Sequence, residues 1–81
     1  MYIINYRLDN NKNWEKFNFH FSSLWAAVFK ARAICEEHWA DADVIDGNTG
    51  AVLVSFNRAG GAYIDEDLPK DIKILASLMI K

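Results

Sequence analysis

The fold is decided by one continuous run. It opens with Ser22-Ser23-Leu24-Trp25 and continues to Trp39. It then passes through Val44-Ile45-Asp46-Gly47-Asn48-Thr49-Gly50-Ala51-Val52-Leu53-Val54 to Phe56. The first half has the spacing of an amphipathic helix. Ser22 or Ser23 is placed to accept a hydrogen bond from an orphan N–H of the first turn. With about 100° of rotation per residue, Leu24, Ala27, Val28, Ala31, Ile34, Cys35, His38 and Trp39 fall on one stripe. Alanines at 27 and 31 allow that stripe a close approach to a sheet. The second half predicts a hairpin, with glycines at 47 and 50 where a turn calls for positive φ. Val52, Val54 and Phe56 are expected on one face of its returning strand, and Leu53 and Ser55 on the other.

Upstream, Tyr2, Ile4, Tyr6 and Leu8 alternate with Asn5 and Arg7, the pattern of a half-buried strand. Asp9 to Asn13 reads as a turn. Trp14 to Phe21 reads as a second strand, with Phe17, Phe19 and Phe21 on one face and Lys16, Asn18 and His20 on the other. Downstream, Gly60-Gly61 predicts a tight turn and Ala62 to Asp65 a short last strand. Asp67-Leu68-Pro69 begins a segment from Lys70 to Lys81. As a helix it places Ile72, Leu75, Ala76 and Met79 together, with proline in the first turn. Ile72, Ile74, Ala76, Leu78 and Ile80 also alternate as a strand would. The order ββαβββα, with one antiparallel sheet and a main helix across one face, makes a single α+β domain spanning residues 1–81.

The chain has 81 residues, a 52% apolar fraction and eleven aromatic side chains. A chain of this length buries only about 60–65% of the surface its unfolded form exposes. It has little room for a deep catalytic pocket and the shell that supports one. The aromatic content argues against disorder. Apolar side chains left at the surface would favour a dimer or a protein partner, and the chain is expected as a monomer or a homodimer. The single cysteine, Cys35, excludes an intrachain disulfide and suits a reducing, cytoplasmic compartment. No leader pattern opens the sequence, and no apolar run reaches the roughly 18 residues of a membrane span.

Charge is unevenly spread. Net charge is −2 overall, with +3 over residues 1–35, −7 over 36–67 and +2 over 68–81. The acidic block comprises Glu36, Glu37, Asp41, Asp43, Asp46, Asp65, Glu66 and Asp67, with Arg58 its one cation, and reads as acids without basic partners. Two interpretations stand side by side: a solvated edge with acids at a helix start, or a patch matched to a basic groove on a partner. Trp25 and Phe29 lie four apart, outside the core stripe. Either a later segment covers them, or they form an exposed aromatic anchor of the kind that dominates interface energetics.

Catalytic and cofactor signatures are absent. Two histidines and one cysteine fall short of a zinc site. Cys35 has no evident basic partner, and the turn glycines match no phosphate loop. No cofactor or metal is therefore expected. Trp14, Lys16 and His20, with Arg7 alongside, form a small basic face, which makes nucleic-acid binding the second reading.

The segments Tyr2-Ile3-Ile4, Phe17-Asn18-Phe19, Ser23-Leu24 to Ala31-Arg32-Ala33-Ile34 and Gly61-Ala62-Tyr63-Ile64-Asp65 resemble, in order and spacing, small phage-encoded anti-CRISPR proteins of the type I inhibitors. The resemblance covers residues 2–65. It carries over no functional residue and has no counterpart for the last helix. It implies a non-enzymatic inhibitor in the host cytoplasm, docking on a host nucleoprotein such as a CRISPR effector complex. Apart from the resemblance, the charge and helix pattern make Trp25, Phe29 and the eight acids of the central block the expected docking residues.

Overall fold

A computed structural model describes residues 1–8 and 13–79. The turn expected at 9–12 and the last two residues lie outside the described set. The elements run β1 (Tyr2–Leu8), β2 (Glu15–Lys16), α1 (Leu24–His38), β3 (Ala40–Asp46), β4 (Val52–Phe56), β5 (Ala62–Ile64) and α2 (Lys70–Leu78). This is the α+β order read from the sequence, and the C-terminal segment is helical.

The five strands form one sheet in the order β2-β1-β3-β4-β5, antiparallel throughout. The central strand, β3, follows α1 with Trp39 alone between them. Both helices pack on one face of the sheet and share one core. It is built from Ile4, Ala27, Val28, Ala31, Ile34, Cys35, Ala40, Ala42, Val44, Val54, Phe56, Ile72 and Ala76. Ala40, Ala42 and Val44 alternate along β3 toward the helices. Three small or β-branched side chains there let α1 lie close, as the alanines of the helix stripe require. Along α2, Ile72 and Ala76 are buried, while Leu75 and Met79 pack at the margin of the same core.

Register orients the molecule. Tyr2 pairs with Asp46 and also bridges Phe21, which lies just before the cap of α1. Helix α1 therefore starts at the Asp46 end of β3 and runs antiparallel to it. The Asp65 main-chain N–H donates to the Leu53 carbonyl at 2.9 Å, so the entry to α2 also lies at the Asp46 end.

Three expectations are corrected. First, β2 is two residues long, not eight. Lys16 pairs with Asn5 and Phe21 with Tyr2, so Phe17 to His20 must be fitted opposite Ile3 and Ile4. Two of those four residues have no partner across the ladder, so regular pairing breaks between Lys16 and Phe21. Phe17 and Phe21 stay half-buried, while Phe19 turns outward to 58% exposure. It meets Phe21 edge-on at 4.9 Å.

Second, His38 and Trp39 leave the core stripe. Trp39 takes the left-handed conformation, φ 52°, and its N–H closes the helix on the Cys35 carbonyl. That turn ends the helical period, and both side chains are exposed. Arg32, outside the core stripe by rotation, is also buried.

Third, Val52 does not share the buried face of Val54 and Phe56. The β3–β4 register shifts between Val44 and Ile45. The bulge inserts a residue and breaks alternation at Val52.

Candidate functional site

Trp25 and Phe29 occupy the first two turns of α1. Ser23 caps this helix, its Oγ accepting from the Ala26 N–H at 3.4 Å. They are 41% and 53% exposed, respectively. Neither α2 nor a described loop covers them. Each flank of α1 is identified by its neighbours. Lys30 stands over the Phe17 ring at 5.3 Å. Ile34 and His38 line a cleft of about 150 Å³ with Tyr6, Leu8 and Phe17. That flank faces β1 and β2. On the other, Arg32, Cys35 and Glu36 line a second cleft of about 160 Å³ with Trp39, Arg58 and Ala59. Trp25 and Phe29 belong by rotation to this second flank, on the side of β4, β5 and α2.

The acids divide between two ends of the domain. Asp41 stands on the open face of the sheet, opposite the helices, at the end where α1 finishes. Its carboxylate accepts from Arg7 Nη2 at 2.9 Å, from Arg58 Nη2 at 3.2 Å and from the Arg58 main-chain N–H at 2.9 Å. The expectation of acids without basic partners therefore fails here, and it fails at Glu36, which pairs with Arg32 at 3.0 Å. The tertiary cause is plain: the sheet brings Arg7 from β1 and Arg58 from the β4–β5 turn to one carboxylate on β3. Burial opposes ionisation of Asp41, but the hydrogen bonds from Arg58 and Arg7 outweigh it and hold its pKa below the ordinary 3.8. Asp43, next along the same face, accepts from Ser55 Oγ at 2.6 Å.

Glu37 is exposed beside His38, at 3.9 Å from its Nε2. At the opposite end, Asp46 accepts from the Asn48 N–H within the β3–β4 turn. Asp65 accepts from the Asp67 N–H as the chain turns into α2. Glu66 and Asp67 are exposed. The structure thus places Trp25, Phe29, Asp46, Asp65, Glu66 and Asp67 toward one end. Glu36, Glu37 and Asp41 lie toward the other, Glu36 about 10 Å along the helix from Phe29 and about 16 Å from Trp25.

The open face carries a polar row, Lys16, Asn5, Asp43, Ser55 and Tyr63, read across from neighbour to neighbour. Beside it, the Arg7 guanidinium lies over the Trp14 ring at 5.0 Å. The Arg7–Asp41–Arg58 network itself was not legible in the sequence, because its members are separated by 34 and 17 positions. The signal, an alternating acid within the central strand, emerges only once β3 is seen to begin at Ala40.

Cys35 offers little chemistry. Its Sγ sits in the core near the Phe56 carbonyl, 3.8 Å away. Burial pushes the thiol up to about 11, so it stays protonated at neutral pH. Among the described residues, no group of His, Cys, Asp and Glu converges as a metal site, and no helix is long and apolar enough to cross a membrane. Comparison of the chain with protein-family models, curated proteins and solved structures found no match.

Proposed function

We propose that this chain is a non-catalytic protein-binding module, and that its partner is a host nucleoprotein of the CRISPR effector kind. The observation that carries the reading is the aromatic pair Trp25 and Phe29, solvent-facing on a capped helix. Rigid aromatics held on a regular element are the side chains that concentrate binding energy at interfaces. The acids near them favour a partner with a basic surface. The likeness in layout to type I anti-CRISPR proteins supports the narrower identity of the partner.

Purified type I CRISPR effector complexes, flowed over the immobilised chain, test it. Binding by the wild type, and its loss in W25A/F29A with unchanged circular dichroism, is the expected result. Failure of every effector complex to bind the wild type removes the narrower identity.

The alternative is nucleic-acid binding by the exposed Trp14, Lys16 and His20 with Arg7. The Arg7–Trp14 stack favours it. Against it, Asp41 already takes the Arg7 guanidinium. A gel shift of single-stranded DNA or RNA that weakens steeply with salt would establish it.

A further inference from the structure

An acidic segment of the chain lies at the end of the domain where the aromatic pair begins. Trp25 and Phe29 lie on the α2-facing flank of α1, at the end of the domain where α2 begins. There the chain presents Asp65, Glu66, Asp67 and Asp71, against Lys70 and Lys73. Helix α2 lies on the same face of the sheet as α1 and shows its own outward pair, Ile74 and Leu78, also four apart. Each helix thus leaves an apolar pair in water, and the start of α2 carries net negative charge. An unpartnered apolar surface with acids beside it matches a helix with apolar residues on one face and lysines or arginines flanking them.

We infer that α1 and the start of α2 form a docking face for a cationic amphipathic helix of a partner protein. The inference rests on the binding-module reading and specifies the chemistry of the partner. Glu37, by rotation on the other flank of α1, and Asp41, on the open face of the sheet, take no part in it.

A synthetic amphipathic peptide of leucine and lysine, roughly 18 residues or five helical turns long, is the probe. It is titrated into the full chain by calorimetry. The expected result is saturable binding that weakens roughly tenfold in W25A/F29A and in E66K/D67K. It also weakens as salt rises from about 50 to about 300 mM, and E37K leaves it unchanged. Because Trp25 is partly buried, the more exposed Phe29→Lys serves as a second variant, with thermal melts confirming that each protein folds.

No binding would overturn the inference. So would equal weakening by E37K, which would mean that only net charge matters, or full binding by W25A/F29A and by Phe29→Lys. Its failure is separable from that of the effector reading. Peptide binding without effector binding leaves the docking face standing, and effector binding that survives E66K/D67K removes this face alone.

Discussion

Asp41 joins three segments through one carboxylate: Arg7 on β1, its own strand, and Arg58 in the turn after β4. Its side chain is 13% exposed and that of Arg58 20%, so the Arg58 bonds are less screened by solvent than the bond to the more exposed Arg7. D41N keeps the shape and removes the charge. It should cost about 2 kcal/mol, the loss expected when guanidinium donors are left without an ionised acceptor, and lower Tm by roughly 10 °C in a domain of this size. The same carboxylate sets a pH dependence. Its folded pKa lies below 3.8, so its contribution is complete above that value and is lost as pH falls through the folded pKa. Urea titrations between about pH 5 and about pH 2 should show stability falling in the wild type and a flatter profile in D41N.

Trp39 is a second residue with a measurable consequence. A left-handed conformation costs an ordinary L-residue about 1–2 kcal/mol and glycine almost nothing. W39G should therefore leave stability unchanged or raise it by about 1 kcal/mol, read from the urea midpoint. A clear loss of stability would mean that the exposed indole contributes more than the strain it carries.

At the scale of elements, the fit of α1 to β3 depends on small side chains. Ala27 and Ala31 on the helix, and Ala40 and Ala42 on the strand, have no exposed surface. A31L would force the layers apart and should destabilise by about 1–3 kcal/mol, seen as a lowered urea midpoint with an unchanged slope. Cys35 in the same layer should resist a thiol reagent in the native state and react once urea unfolds the chain; rapid native labelling would contradict its placement.

The helix side of this layer was readable in advance from the helical period, whereas Ala40 and Ala42 were not, because the hairpin reads from Val44. The second strand was not. Phe17, Phe19 and Phe21 alternate correctly, but alternation says nothing about how many residues face them across the ladder. Arg32 escaped for a related reason: its position is set by packing beside β4 and the turn that follows, which no local pattern reports. Trp25 and Phe29 were legible as lying off the core stripe, while their exposure depended on where α2 settled.

The whole molecule is thin, 34 × 28 × 17 Å, close to one sheet and one layer of helix. Among the described residues, no helix packs on the other broad face of the sheet. Ile3, Ile45 and Val52 lie along one end of it, the polar row crosses its middle, and the Arg7–Asp41 pair follows. Protection should follow this plan. In native-state hydrogen exchange, amides of β1, β3 and β4 should be the slowest, since they carry the long ladders. The β2 region should exchange earliest, because its pairing is short and irregular. Uniform protection across the sheet would mean that the short edge is more firmly held than its register suggests.

The joint between α1 and β3 has a mechanical consequence. With Trp39 as the whole connection, the helix and the central strand have no slack between them. A load applied to the outer surface of α1 passes straight into the strand on which the other four are assembled, whereas the connections after β3 and after β4 are each five residues long. An added residue after His38 would rotate one partner against the other. The same residue added at Thr49 would be absorbed. Whatever grips this helix from outside is therefore holding the domain by its spine.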